Sequence, residues 1–170
     1  DDVFSAALLL YLNPEIQIIR GNRVPEDFTG IVFDIGRGQY DHHQKDSRVR
    51  ENGISYAAFG LLWETLGKEI LGEELAKTFD EDFVQPLDNN DNTGEKNELA
   101  SLIGNFNPGW DSRENQDEAF FQAVSVAGMI LENKFERYRG NERADKRTEE
   151  ILKAHKEAEE SRILILPEFI

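Results

Sequence analysis

The chain has 170 residues, of which 39% are hydrophobic and 31% charged, so it carries enough apolar material for a core and too little length for a repeat array or a large multidomain machine. A net charge of −15 works against non-specific binding of polyanions through a basic surface. The absence of cysteine excludes disulfide frameworks, thiolate zinc sites and cysteine nucleophiles, fits a reducing, cytoplasmic setting, and leaves only oxygen and imidazole to hold a metal.

In chain order, Val3 to Leu12 is rich in Ala and Leu and predicts a helix, stopped at Asn13-Pro14 because the residue before proline avoids the helical region. Asp1 and Asp2 stand at its N-terminal end, where a carboxylate caps a helix and faces the positive end of its dipole. Ile16 to Arg20 and Ile31 to Ile35 are short β-branched runs bounded by Gly and Pro, the pattern of buried parallel strands. From Ile54 to Ile70 apolar residues recur every three or four positions, a helical period closed by Gly72. A further helix is expected over Glu73 to Leu87, then an Asx-rich turn, and a helical turn at Glu98 to Ile103. The Pro-Gly pair of Asn107-Pro108-Gly109-Trp110 marks a turn. Gln116 to Arg139 reads as a long helix with Phe120, Val124, Ala127, Leu131 and Phe135 on one stripe, Asn141 to Ser161 as a second, exposed helix, and Ile163 to Leu166 as a strand stopped by Pro167.

Strand and helix alternating at the start, followed by helices, predicts an α/β fold: a doubly wound, mainly parallel sheet with a C-terminal helical cover. The expected division is a metal-binding α/β domain over 1–105, a helical extension over 106–161, and the start of a following strand or second domain over 162–170. The opening Asp1-Asp2-Val3, without Met or a basic leader, suggests a fragment of a longer two-domain protein. Ala6–Leu12 and Ile163–Leu166 fall far short of the roughly 20 apolar residues a membrane span requires, so no membrane partner is expected.

Two of the three histidines are adjacent, in Asp41-His42-His43. One imidazole can ligate a divalent ion, the second can donate to a substrate oxygen, and Asp41 can orient a ring from behind. Asp34, at the end of Ile31-Val32-Phe33, is expected over the carboxyl edge of the sheet, where ligands collect in such folds; a turn aspartate beside Gly36-Arg37-Gly38 is the plain alternative. Asp88, Asn90 and Asn92 alternate like calcium ligands, but an EF-hand needs Gly at its sixth and Glu at its twelfth position, where Thr93 and Leu99 stand. His155, between lysines, reads as solvent-exposed and without a role. The acid excess is concentrated in the middle: residues 51–100 carry net −9 and the first fifty only −2. Arg37, Lys45, Arg48 and Arg50 are therefore candidates to hold a phosphate, with solvated loop charge as the ordinary alternative.

An acidic pair opening a helix, a strand ending in Asp34, the Asp41-His42-His43 triplet and the acidic segment Asp88 to Asp91 together resemble the DHH phosphoesterase superfamily. Within it, Tyr40-Asp41-His42-His43-Gln44, the helix from Ser55 to Gly67, Asp88 to Asn92 and Asn107-Pro108-Gly109-Trp110 resemble the melanocyte-proliferating-gene exonuclease family, over nearly all of the chain. The resemblance implies a dinuclear site, with Mn2+ or Mg2+, in an α/β domain followed by a second domain. It implies Asp1 as a ligand, Asp34 as the bridge between the ions, His42 as a ligand, His43 close to the scissile phosphate, and Asp91 as the remaining ligand with Asp88 as fallback. In the family a histidine lies just before the position of Asp1 and another several residues earlier; this sequence contains neither.

The function so implied is a metal-dependent phosphodiesterase trimming RNA ends in the 3′ to 5′ direction. Asp41 and His43 would serve catalysis, Arg37, Lys45 and Arg48 phosphate binding, and Asp1, Asp34, His42 and Asp91 two divalent cations. Two other classes stay open: a hydrolase of small phosphates such as pyrophosphate or a dinucleotide, which the acidic surface favours, and a non-catalytic module binding a phosphate ligand or partner protein. The sequence does not choose between a monomer and a homodimer.

Overall fold

A computed structural model describes residues 1–109 and 111–157, and its regular structure is helical. Helix α1 spans Asp2–Leu12, α2 Ala58–Leu71, α3 Glu73–Phe79, α4 Gln85–Thr93, α5 Glu98–Gly104 and α6 Gln116–Glu157. A π-helical segment, Asp80–Val84, joins α3 to α4 without a break.

The core is where these helices meet. α1 buries Phe4, Leu8 and Leu9, α2 buries Phe59, Leu62 and Trp63, and α6 brings Phe120, Val124, Ala127, Leu131 and Phe135 to the same cluster. Phe135 stacks on Trp63 with ring centroids 5.6 Å apart and meets Phe79 at 5.1 Å. Each fully buried ring of this kind contributes roughly 2–3 kcal/mol by burial of apolar surface. The indole N–H of Trp63 donates to the Ala76 carbonyl at 3.0 Å, which ties α2 to α3. Gly72 separates the two helices at φ 77°, a conformation that costs a side-chain-bearing residue strain.

The expected doubly wound parallel sheet is not what forms: among the described residues there is no strand, and pairing is limited to the isolated bridges Phe33–Tyr40 and Val49–Ser55. The two β-branched runs are present, but no neighbouring strand offers them a ladder, and Ile19 and Ile31 are exposed at 76% and 53%. Local pattern specifies an extended, apolar segment; it does not supply the partner that makes the segment a strand. Instead α1 packs directly on α6.

Three smaller expectations also change. The segment from Asp88 to Thr93 is the last turn and a half of α4 rather than a turn, and it closes at Gly94 in the left-handed region. Gly140-Asn141 does not divide two helices, since α6 runs through it. The helix expected from Ile54 begins at Ala58, because Arg50 donates its amide to the Ile54 carbonyl at 2.9 Å and folds residues 49–55 into a turn. The strand expected at Ile163 to Leu166 lies outside the described residues. No described helix is long and apolar enough to cross a membrane.

Candidate metal centre

Four segments converge on His42. Asp1 precedes α1; its carboxylate does not cap that helix but accepts from the Ala58 amide at 3.0 Å and the Phe59 amide at 2.7 Å, and so caps the first turn of α2. Asp34 sits in a loop at φ 62°, the left-handed region that a non-glycine residue occupies only when its surroundings require it. Its amide donates to the Tyr40 carbonyl at 2.9 Å, which brings Asp34 close to the Asp41-His42-His43 triplet. Asp91 and Asn92 arrive on the last turn of α4.

His42 Nε2 lies 3.2 Å from Asp34 Oδ1, 3.3 Å from Asp91 Oδ2 and 3.7 Å from Asp1 Oδ2. Its Nδ1 stands 3.2 Å from Asn92 Oδ1. The orientation of the Asn92 amide is fixed by its other end, which donates to the carbonyls of Ser55, Tyr56 and Asp88. Both ring nitrogens of His42 therefore face acceptors. The hydrogen bond to Asp34 raises its pKa, burial works against this, and the Asn92 contact and the neighbouring carboxylates add to the rise.

The same surroundings fit a divalent ion. Ligand atoms about 2.1 Å from a common ion and 90–110° apart lie roughly 3.0–3.4 Å from one another, the range in which Asp34 and Asp91 stand from Nε2, with Asp1 slightly beyond it. Among the described residues no Lys or Arg forms an ion pair with Asp1, Asp34, Asp41 or Asp91. Apart from the α2 amides that hold Asp1, the three carboxylates around this imidazole are offset by no Lys or Arg among the described residues, and a proton on Nε2 or a cation beside it would supply a positive charge. With His42 side chain at 7% exposure and Asp34 and Asp91 at 30% and 31%, the cage is closed behind and open in front.

The acidic groups and histidines form two sets whose potential ligand atoms lie within 4.8 Å of one another: Asp34, His42 and His43, and Asp1, His42 and Asp91. His42 is common to both, but one Nε2 lone pair holds one ion. Asp34, expected as a bridge, belongs to one set only.

Beside the cage, His43 is exposed and its Nδ1 lies 2.9 Å from Asp41 Oδ1. Burial pushes the Asp41 pKa up, but the amides of His43 and Arg37 and the His43 ring hold the carboxylate on balance below its usual range. An ionised carboxylate only accepts, so Nδ1 carries the proton and Nε2 is left for a partner from outside.

A profile of the MYG1 exonuclease family, described as "Uncharacterised protein family (UPF0160)", matches residues 1–170. The chain belongs to this family. The chain is also similar to MYG1 protein C27H6.8 of Caenorhabditis elegans, 27% identical, with 58% of this chain and 38% of that protein covered. The chain thus spans well under half the length of that relative. No solved structure matches. The family's name is that of an exonuclease.

The remaining residues singled out in the sequence separate by environment. Asp88 is fully buried and held by Arg50, whose guanidinium nitrogen lies 2.8 Å from Oδ2, away from His42. Arg50 also pairs with Asp80 at 2.7 Å and covers the Tyr56 ring at 3.8 Å, so it does not reach solvent as a phosphate-binding group would. Arg48 is engaged through both terminal nitrogens by Glu64, at 2.5 and 2.6 Å. Arg37 and Lys45 are exposed and form no ion pair among the described residues. His155 is exposed on α6. Sequence reasoning met Asn92 only in the rejected calcium pattern and gave it no role at the histidines. The signal was its place next to Asp91 and four residues after Asp88, but that spacing means something only once the segment is known to be helical.

Proposed function

We propose that this chain carries the metal-binding part of a phosphodiesterase that removes nucleotides from RNA 3′ ends with a divalent cation, Mn2+ before Mg2+, at the His42 cage. The observation that carries this reading is the approach of Asp1, Asp34 and Asp91 to one imidazole nitrogen with no arginine or lysine among the described residues paired to them. Membership of a family named for an exonuclease supports the reaction class.

Each side chain has a definable task. Asp1, Asp34, Asp91 and His42 would hold the ion, with Asn92 accepting the Nδ1 proton so that Nε2 presents its lone pair. A bound divalent ion supplies Lewis acidity, activating water and offsetting negative charge on phosphorus. His43, oriented by Asp41 and open to solvent, would donate from Nε2 to a phosphate oxygen when protonated, or relay a proton from the site. Arg37 and Lys45, exposed on the same loop, would meet the flanking phosphates. DHH-type chemistry with a second ion would need donors beyond the two sets that share His42.

The test is to titrate the full chain with Mn2+ by calorimetry and to follow both the shortening of a 5′-labelled RNA and phosphate release from pyrophosphate. The proposal expects Mn2+ binding, with its stoichiometry reporting one ion or two, and stepwise shortening of the RNA. Cleavage of pyrophosphate with RNA left intact would replace it with a small-phosphate hydrolase, and Mn2+ binding without either reaction would leave a phosphate-binding module.

A further inference from the structure

A second convergence of charged groups lies just behind the metal cage, and the reaction assigns it no role. Buried Arg50, Asp88 and Gln85 form a network with half-buried Asp80: Arg50 donates to both oxygens of Asp80 at 3.0 and 2.7 Å, Gln85 donates to Asp80 at 2.8 Å, and Arg50 lies 2.8 Å from Asp88. Asp80 and Asp88 are eight residues apart. At 100° per residue an unbroken α-helix would turn them about 80° away from each other, whereas a π-turn absorbs one residue and brings eight to behave as seven, about 20° out of line. The segment Asp80–Val84 is that π-turn, and it lets both carboxylates face one guanidinium.

Asp88 in turn fixes α4 against α2. Its Oδ1 accepts the Gly60 amide at 3.1 Å, next to the Ala58 and Phe59 amides taken by Asp1. The approach is close enough that a Cβ on Gly60 would stand 1.9 Å from Asp88 Oδ2 and 2.7 Å from the Arg50 guanidinium. The first turn of α2 thus holds one carboxylate of the cage and, through Asp88, the helix that carries another. One turn beyond Asp88, Asn92 donates back to its carbonyl at 2.9 Å and presents Oδ1 to His42.

We infer that the buried Arg50–Asp88 pair is a positioning device for the metal centre, seating α4 on the start of α2 so that Asp91 and Asn92 meet His42 in ligating geometry. This rests on the reading of the His42 cage as a cation site. Neither residue touches the ion or the substrate; they act through the axial placement of α4.

The experiment measures Mn2+ affinity of the full chain by calorimetry for the parent, Asp88→Ala, Asp88→Asn and Leu131→Ala, at a temperature where circular dichroism shows each folded. Leu131 is fully buried on α6 and provides a destabilised control remote from the cage. Asp88→Ala is expected to weaken Mn2+ about 10–100-fold, and Asp88→Asn, the variant to rely on should alanine not fold, at least about threefold. Both should shift the 15N signal of His42 Nδ1, the reporter of the Asn92 contact, while Leu131→Ala leaves affinity within about twofold. Parental affinity and an unmoved His42 signal in Asp88→Asn would overturn the positioning role, as would an equal loss in Leu131→Ala. A parent that binds no Mn2+ overturns the cation-site reading itself, and the positioning role with it.

Discussion

Two places in this molecule gather carboxylates around a basic side chain, and they are resolved in opposite ways. In the network of Asp80 and Asp88 the partner is Arg50, permanently charged and buried, so the protein itself supplies a fixed cation to both carboxylates. At the cage of Asp1, Asp34 and Asp91 the partner is His42, which is neutral unless it takes up a proton. A buried cluster with its own fixed cation organises structure, whereas one without such a cation and with an open face is the place the proposal gives to a metal ion. The contrast separates scaffold from site without reference to motif.

The strongest way to break that contrast is to remove each central base. On the proposed reading, His42→Ala should reduce hydrolysis of the labelled RNA to background and abolish measurable Mn2+ binding, with a change in thermal midpoint of only a few degrees, because the proposal makes the side chain it deletes a ligand and the hydrophobic core does not include it. Arg50→Met should do the reverse. Removing one partner of a buried ion pair leaves a bare charge and costs about 3–5 kcal/mol, a fall in Tm on the order of 10 °C for a chain of this length. Denaturant melts of both variants, with Mn2+ titrated into each, check the pair; a His42→Ala chain as unstable as Arg50→Met would erase the distinction.

How much of this could be read from the sequence depends on whether the information was local. The helical stripe from Phe120 to Phe135, the apolar α1 and the closure of α2 at Gly72 are set by residues three or four apart, and they appear where the period places them. The Asp41-His42-His43 triplet was legible because adjacent histidines are rare. The sheet was not legible, because Ile16 to Arg20 and Ile31 to Ile35 carry the composition of strands but no statement of what pairs with them. The Asx-rich stretch misled for a related reason: Asp and Asn favour turns through bonds to nearby backbone, whereas here Asp88 bonds to α2, Asn89 to the Glu95 side chain and Asn92 to His42, and the bond of Asn92 to the Asp88 carbonyl four residues back is compatible with the helix. Arg50 was read as a solvent-facing candidate because nothing in a linear sequence reveals burial beneath a π-turn.

A milder perturbation, pH, sharpens the same comparison. Burial raises the Asp88 pKa from 3.8 to about 6, with Arg50 pulling the other way. The folded chain then holds a proton on Asp88 that the unfolded chain has already released, so the contribution of Asp88 to stability is full below about pH 3.8 and is lost as pH rises through about 6. The shift corresponds to an effect on the order of 2–3 kcal/mol. Urea melts between pH 4 and 7 should show a downward component in stability that Asp88→Asn removes; an identical pH dependence in the two chains would show that Arg50 neutralises Asp88 fully at every pH.

The smallest effect concerns Arg48, which stands between the two behaviours. It is a loop arginine near the triplet, as a phosphate-binding group would be, but its guanidinium is already bound by Glu64, and both side chains are solvent-exposed, at 58% and 39%. Exposed pairs are worth about 0.2–1 kcal/mol, so Arg48→Ala should lower stability by no more than that. If the pairing persists when substrate is bound, KM for the RNA should change by less than about twofold, while Lys45→Ala, which removes an exposed charge with no ion-pair partner among the described residues, should raise KM severalfold. A larger rise for Arg48→Ala than for Lys45→Ala would mean that Arg48 leaves Glu64 for a phosphate, and Glu64→Gln should then lower KM by freeing it.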